Sequence, residues 1–335
     1  MKKLFSLALC LSMILTLCAL GTGAEAANAG AGVKVGLCIA ETLGDKGFYD
    51  SANEGLQKLV NDYGVVGNVV ECKGDASAFE PTLIEAAEQN DIVVAVGWQF
   101  WDGLTAVVPE MPDTKFIFID NGLELEGCAN LLSVTYKENQ GSFLAGYIAM
   151  KLSQAATVGV IGGEDSDTIN NFIVGYKQGA LYANPEGTVL DAIYTNDYEA
   201  PDTGKEAALS LYGKGADVVF AVAGKTGLGV FEAGEEQKKF AIGVDSDQKA
   251  ESPEVIICSM MKKVGDSIYT VVSDFVENGV FNGGAIWDAD LSTGLIDIGY
   301  GEDSMTQQVS DELKAEVNEL KDKIIAGEIT VESTR

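Results

Sequence analysis

The stretch "VFAVAGKTGLGVFEAG" (219–234) contains the tripeptide Gly-Lys-Thr. These residues in this order occur in loops that bind phosphate. A phosphate-binding P-loop needs Gly-x-x-x-x-Gly-Lys-Thr, because its first glycine lets the backbone wrap around the phosphates. Here the first position is Val219, inside a predicted strand. The spacing of Gly224, Gly227 and Gly229 also reverses that of the dinucleotide-binding fingerprint. The turn therefore indicates a ligand-binding loop at a strand end, facing an uncharged ligand.

Acidic and aromatic residues follow other apolar runs of the chain. They occur in "ETLGDKGFYDS" after the first run, in "GWQFWDG" after the third, and in "GVDSDQ" late in the sequence. Carboxylates accept hydrogen bonds from hydroxyls and ring N–H groups, and aromatic faces stack on planar bases. The combination is typical of a sugar or nucleoside site. Each motif alone also fits an ordinary turn or helix cap.

Composition excludes several classes of function. The 335 residues include no histidine, which removes the Ser-His-Asp arrangement and most zinc sites. The formal charge is −29, so the long-range field repels nucleic acid and anionic membrane surfaces. An enzyme would have to use carboxylates on calcium or as a general acid. The candidates for that alternative are Asp45, Asp50, Asp245 and Asp247.

The N-terminus is predicted to be a secretory signal. Lys2 and Lys3 precede the apolar run "LFSLALCLSMILTLCAL", and Ala24-Glu25-Ala26 fits the small-x-small cleavage pattern. We assign residues 1–26 to this signal and expect an exported protein. Lipid anchoring through Cys18 is the alternative, although Leu17 stands where a lipoprotein cleavage box has a small residue.

The remaining cysteines are isolated and lie beside apolar stretches, so buried free thiols are favoured over metal ligands. Their even number leaves disulfides open in an exported protein. They are Cys38, Cys72, Cys128 and Cys258.

The elements that must position the candidate residues are short apolar strands alternating with amphipathic helices. The helix after the first strand is predicted to stop at Gly64. Further helices are predicted over 139–153, 168–183, 203–213 and 227–238, with a capped amphipathic helix in "SDELKAEVNELKDKIIAGEI". The alternation forms two sets, which predicts an α/β protein with two doubly wound, parallel-sheet lobes.

Six blocks of the sequence carry a family resemblance. They are "GDKGFYDSANEGL", "VTYKENQGSFLAGYIA", "VGVIGG", "ALSLYGKGADVVFAVAGKTGLGVFEA", "AIGVDSDQ" and "SMMKKVGDSIY". In this order they resemble the basic membrane protein family of solute-binding lipoproteins, of the purine nucleoside receptor type, from about Val33 to Ile329. The resemblance implies a type I periplasmic-binding-protein fold, with lobes at 33–132 plus about 255–285 and at 138–250 plus about 290–335. It also implies a monomer that needs no cofactor or metal and serves an ABC permease.

The resemblance also implies roles for individual residues. Phe48 would stack on the base, and Asp102 in "GWQFWDG" matches the base-side acid of the family. Asp245 and Lys262 match groups that hold the ribose hydroxyls, and Gly224 would contribute a backbone group there.

Some positions depart from the family pattern. Family members usually carry an Asp about nine residues before the stacking Phe; here the stretch is one residue shorter and reads Ala40-Glu41, so Glu41 is the candidate to replace it. Val222 occupies the place of a second stacking aromatic, so Trp98 or Trp101 is the candidate for the other face of the base. Glu41, Trp101 and Asp45 complete the predicted ligand-binding set.

The function expected is that of an exported binding protein, not an enzyme, which delivers purine nucleosides to an ABC permease. Two alternatives stay open. A sugar or signal-molecule receptor of the same fold would need no stacking Phe48. An exported nucleoside hydrolase would need the clustered carboxylates named above.

Overall fold

A computed structural model describes residues 29–334 of the protein. The predicted signal segment, with Cys18, lies outside these residues. The described strands, in chain order, are β1 Lys34–Ile39, β2 Val66–Glu71, β3 Ile92–Val96, β4 Lys115–Ile119, β5 Leu131–Tyr136, β6 Thr157–Gly162, β7 Thr188–Val189, β8 Ile193–Tyr194, β9 Val218–Val222, β10 Phe240–Asp245, β11 Ile256–Lys262, β12 Ala285–Ala289 and β13 Ile296–Gly299.

Helices alternate with these strands, as the pattern of the sequence predicts. They are α1 Phe48–Tyr63, α2 Phe79–Gln89, α3 Trp101–Val107, α4 Glu138–Leu152, α5 Asp167–Ala183, α6 Pro201–Gly213, α7 Leu228–Gln237, α8 Val264–Asn278 and α9 Asp311–Ile325. Helix α1 ends at Gly64, whose left-handed backbone (φ 70°) lets its N–H bond to Val60 O, as a helix C-cap requires. Helix α9 begins at Ser310, whose side chain accepts the Leu313 N–H.

The strands form two sheets. The first has the order β12-β5-β4-β3-β1-β2, and all its pairs are parallel. The second has the order β13-β11-β10-β9-β6-β7, with β8 also on β6, and only its β11–β13 pair is antiparallel. Central strands such as β3 and β9 are buried along their whole length, as expected for parallel sheets covered by helices on both faces. The two-lobed fold is confirmed.

The lobe boundaries differ from those expected in the second half of the chain. The prediction assigned residues from about 255 to the first lobe, but β11 pairs with β10 in the second sheet. The chain then returns to the first lobe, where α8 packs on α1 and β12 pairs with β5. A buried apolar strand carries no signal for one sheet over another, because both sheets offer similar edges.

Three segments cross between the lobes side by side. They follow β5, β11 and β12. The Lys137 N–H donates to Ala289 O at 2.8 Å, and the Lys263 N–H donates to Leu295 O at 2.8 Å. This hydrogen-bonded connection holds the carboxyl ends of the two sheets opposite each other.

Candidate functional site

A cavity lies between the lobes, where the carboxyl ends of the strands of both sheets meet. This is where open α/β sheets bind ligands. Its empty space is about 670 Å³, including the part open to solvent, which is in the range of small-molecule sites. From the first lobe it is lined by Asp45, Phe48, Tyr49, Gly97, Trp98, Gln99 and Asp120. From the second lobe it is lined by Ser166, Thr168, Ile169, Phe172, Tyr198, Glu199, Val222, Ala223, Gly224, Lys225, Val244, Asp245 and Lys262.

The aromatic residue Phe48 is held in the cavity wall by its position at the start of α1. The buried Asp45 carboxylate accepts three backbone N–H groups, from Gly47 at 3.1 Å, Tyr49 at 2.9 Å and Asp50 at 3.0 Å. These N–H bonds lower the pKa of Asp45, but burial has the larger effect, so the pKa is raised above its ordinary value. The first turn of α1 is thereby fixed, and the Phe48 ring packs edge-on against Tyr49 with centroids 5.0 Å apart.

A buried ionic cluster forms the base of the cavity. Lys262, at the end of β11, is only 3% exposed, and its Nζ lies 2.9 Å from Asp120 Oδ1 and 3.6 Å from Asp245 Oδ1. Asp120 directly follows β4 of the first sheet, whereas Asp245 and Lys262 belong to the second. Buried charges of this kind depend on each other, because each has lost its hydration. The cluster therefore joins the two lobes at the cavity base.

Aromatic rings surround the same ammonium group. Lys262 Nζ lies 4.5 Å from the ring centroid of Phe48, 5.1 Å from that of Phe172 and 5.6 Å from that of Tyr136. These distances are within cation–π range. The rings exclude water from the cluster and strengthen its electrostatic interactions.

The titration of the cluster is shifted by burial. Burial raises the pKa of Asp245 to about 7, and Asp120 and Asp45 add to this effect although Lys262 opposes it. Burial lowers the pKa of Lys262, but the carboxylates of Asp120, Asp245 and Glu138 more than offset this, so the pKa is raised above its ordinary value. Lys262 is therefore a cation at neutral pH, while Asp245 is poised between its two forms.

The two carboxylates of the cluster also share an uncommon backbone. Asp120 has φ 81° and Asp245 has φ 65°, in the left-handed region that Asp tolerates better than most residues. Asp245 Oδ1 is buried and forms no hydrogen bond with the described residues, although Lys262 Nζ lies 3.6 Å away as its ion-pair partner. Strained backbone and an unsatisfied buried acceptor are features that concentrate at binding sites.

Of the predicted ligand-binding residues, five line the cavity and three do not. Asp45, Phe48, Gly224, Asp245 and Lys262 lie along it. The roles predicted for them remain predictions.

The other three predicted residues lie outside the cavity lining. Trp101 is 39% exposed and packs edge-on against Phe118, and Asp102 is exposed in the first turn of α3. The turn after β3 presents residues 97–99 to the cavity, so the helix has already turned away when it reaches these two residues. Glu41 is half-buried, and its pKa is raised by burial and by Glu199, Asp197 and Glu164.

The structure adds residues that the sequence reasoning missed. Asp120 ends the run "KFIFID", so the strand-end rule that found Asp245 could have found it. Phe172 and Tyr198 had no such signal, because one lies inside a helix and the other in a loop. Tyr198 lies against Gly163, where an added Cβ would stand 2.1 Å from its ring, and against Gly224. Val222 lines the cavity, and Tyr198 is an aromatic neighbour in the same wall.

Of the carboxylates considered for hydrolysis, Asp45 and Asp245 line the interlobe cavity, and Asp50 and Asp247 do not. Asp50 accepts the N–H groups of Gly44 and Lys46, and Asp247 accepts those of Lys249 and Gly301. Within residues 29–334, no group of three or more His, Cys, Asp or Glu could hold a metal ion.

The four cysteines in the described part of the chain are free thiols, as the favoured prediction has it. Burial raises the pKa of Cys38 to about 12, so this thiol is not reactive at neutral pH. None of the described helices has the length and apolar character needed to span a bilayer.

Comparisons with known proteins agree with the fold and with the family resemblance found in the sequence. The family model described as "ABC transporter substrate-binding protein PnrA-like" matches residues 32–335. Basic membrane protein B of Borreliella burgdorferi is 32% identical over 293 residues, covering 85% of each chain.

Two solved structures share the fold. An ABC transporter solute-binding protein from Aeropyrum pernix K1 superposes with a TM-score of 0.80 at 26% identity, covering 89% of this chain and 92% of that one. A solute-binding protein from Conexibacter woesei gives a TM-score of 0.73 at 24% identity, covering 90% and 99%. The type I periplasmic-binding-protein fold and the resemblance to the basic membrane protein family of solute-binding proteins are confirmed. The chain belongs to the family of PnrA-like ABC transporter substrate-binding proteins.

Proposed function

We propose that this protein is the extracytoplasmic receptor of an ABC importer and that it binds a nucleoside, with a purine base, in the cavity between its lobes. Family membership supports the general part of this proposal, namely that the protein is a substrate-binding protein with a small ligand and a permease partner. The observation that carries the nucleoside assignment is that Phe48 and the Lys262–Asp120–Asp245 cluster line one cavity.

The base would stack on Phe48. Lys262 Nζ lies over this ring at 4.5 Å, and the ring forms part of the cavity wall. Stacking of a base on an aromatic side chain contributes about 1–3 kcal/mol. A cavity with an aromatic wall beside a buried ionic cluster fits a ligand with one flat apolar part and one hydroxylated part.

The ribose would contact the ionic cluster. A hydroxyl group donates one hydrogen bond and accepts others. Asp245 Oδ1 is a buried acceptor, and the Lys262 ammonium is a buried donor close to it. Hydrogen bonds to charged groups are stronger than those between neutral groups, so two adjacent hydroxyls would suit this pair.

Binding would be noncovalent and would leave the nucleoside intact. The described carboxylates form no metal-binding group, which gives hydrolysis no support from the geometry. The proposed receptor acts as a monomer, needs no cofactor, and acts outside the cytoplasm. Mass spectrometry of the complex after long incubation should recover whole nucleoside, and release of free base would support a hydrolase instead.

Isothermal titration calorimetry with adenosine, guanosine, inosine and ribose tests the proposal. We expect saturable binding of at least one nucleoside and much weaker binding of ribose, because ribose lacks the stacking group. Saturable binding of ribose without any nucleoside signal would overturn the nucleoside assignment and favour the sugar receptor. Mass spectrometry of ligand that copurifies with the protein gives an independent identification.

A further inference from the structure

The Gly-Lys-Thr turn after β9 supports a neighbouring loop. Thr226 is fully buried, and its hydroxyl donates to Asp197 O at 2.9 Å and accepts the Ala200 N–H at 2.8 Å. The Thr226 N–H donates to Tyr198 O at 3.0 Å. Three hydrogen bonds from one residue therefore hold the loop 197–200 in a single conformation.

The same Gly-Lys-Thr turn also holds the side chain of Glu199, which lies in the loop 197–200. Lys225 Nζ lies 3.0 Å from Glu199 Oε2, and the two side chains are 33% and 29% exposed. Because the backbone of the loop and the carboxylate are both fixed by residues 225 and 226, Glu199 is pre-organised for a further contact.

That further contact crosses the cleft. Glu199 Oε2 accepts the Thr42 hydroxyl at 2.8 Å, and Glu199 Oε1 accepts the Thr42 N–H at 3.4 Å. Thr42 follows β1 in the first lobe, whereas Glu199 and Lys225 belong to the second. Glu199 and Lys225 also line the cavity, so the contact lies at its edge, where the two lobes meet.

We propose that Thr42, Glu199 and Lys225 form a latch that holds the lobes closed over a bound ligand and sets the rate at which the ligand leaves. The proposal rests on the proposed function in that it requires a ligand in this cavity. The latch bonds join two lobes, so they exist only when the lobes are closed. Breaking them favours opening and therefore dissociation, whereas the open protein that captures the ligand has no such bonds to lose.

Lys225 has a second effect within the latch. The pKa of the nearby Glu41 is raised by burial and by Glu199, Asp197 and Glu164, so lobe closure brings carboxylates together at this edge. The Lys225 ammonium lies against the central one, Glu199, and offsets this repulsion. Removing Lys225 should therefore weaken closure through its effect on Glu199.

Stopped-flow kinetics with a nucleoside that the wild-type protein binds tests the latch. We expect Thr42→Val and Lys225→Met each to raise the dissociation rate about 3- to 10-fold, with the association rate changed less than twofold. The matched control is Lys205→Met, which removes a Lys–Glu pair within the second lobe, where Lys205 Nζ lies 2.5 Å from Glu236 Oε1. This control should dissociate ligand at the wild-type rate.

A double-mutant cycle separates the latch from a general loss of structure. In a Glu199→Ala background, Thr42→Val should no longer change the dissociation rate, because its acceptor is absent. Equal effects of Thr42→Val with and without Glu199 would overturn the latch, as would an unchanged dissociation rate in Thr42→Val alone.

Failure of the nucleoside assignment would be distinguishable from failure of the latch. If the wild-type protein bound no nucleoside, the proposed function would fail, and the latch would be judged from the lobe separation. Spin labels on Glu88→Cys and Glu206→Cys, in a Cys128→Ser background, report that distance on ligand-free protein. We expect Thr42→Val and Lys225→Met to increase the open fraction, and identical distance distributions would overturn the latch.

Discussion

Two regions of this protein join its lobes through charged groups, and they differ in burial. At the base of the cavity, Lys262 lies between Asp120 and Asp245 and is only 3% exposed. At the edge, Lys225 and Glu199 are about one-third exposed. Buried charges depend strongly on their partners, whereas half-exposed pairs remain hydrated and contribute less. We therefore expect the ionic cluster at the base of the cavity to determine ligand affinity and the stability of the protein. We expect the pair at the cavity edge to determine how long the ligand stays bound.

The largest effect is expected from removing the cation at the base. Lys262→Met leaves Asp120 and Asp245 buried without a positive partner. The free energy of unfolding should fall by about 3–5 kcal/mol, as measured by urea denaturation. Nucleoside affinity in calorimetry should fall more than about 100-fold, equivalent to ~2.7 kcal/mol. Lys205→Met serves as the control, and an affinity within threefold of wild type for Lys262→Met would contradict the comparison.

A smaller effect is expected from the aromatic wall. Phe48→Ala removes a stacking interaction of about 1–3 kcal/mol, so nucleoside affinity should fall about 5- to 150-fold. Any weak binding of ribose should stay unchanged, because ribose has no base. Phe275→Ala is the matched control, since Phe275 lies in α8 with the Lys115 ammonium over its ring and does not line the cavity. Little loss of nucleoside affinity in Phe48→Ala would favour the sugar receptor.

Nucleoside binding at the ionic cluster should also depend on pH. Burial raises the pKa of Asp245 to about 7, and a protonated carboxyl is a poorer acceptor for a ribose hydroxyl. Nucleoside affinity should therefore fall about 3- to 10-fold between pH 8 and pH 6, as measured by calorimetry. In Asp245→Asn the affinity should be lower at both pH values and nearly independent of pH. A pH-independent wild-type affinity would contradict the role of Asp245.

The stability contributed by Asp245 should change with pH in the opposite direction. Its pKa is raised in the folded state, so its contribution is fully present below the ordinary value of 3.8 and is lost as the pH rises to about 7. The pKa of Asp45 is also raised by burial and adds a change of the same sign. Urea denaturation of wild type and Asp245→Asn between pH 5 and pH 8 separates the two contributions.

The smallest effect is expected from changing the salt concentration. This change distinguishes the exposed pair at the cavity edge from the buried ionic cluster at the base of the cavity. Salt screens exposed pairs much more than buried ones. Raising the salt concentration from 0.05 to 1 M should speed nucleoside dissociation by about twofold in the wild-type protein and less in Lys225→Met, as measured by stopped flow. A salt effect of the same size in both proteins would show that the edge is not its source.

The elements of the fold were largely predictable from local patterns. Strand and helix alternation, the stop of α1 at Gly64 and the cap of α9 at Ser310 depend on residues close together in the chain. The motif around Phe48 and the strand end at Asp245 were also recognisable, because carboxyl ends of parallel strands meet at one edge. Lys262 was identified only through the family resemblance. Asp102 shows the limit of this reasoning. One turn of backbone after β3 decides that residues 97–99 face the cavity and that Asp102 faces solvent.

The sequence by itself determined the two-lobed α/β fold and the set of strand ends where a ligand would be held, because these depend on short-range periodicity and turn residues. It also determined the family, through the six blocks that carry the resemblance. Tertiary structure alone decided which residues meet across the cleft. Asp120 and Lys262 are 142 residues apart in the chain, and Thr42 and Glu199 are 157 apart. Their contacts depend on how the two lobes are connected and how far they close, and no local pattern encodes that geometry.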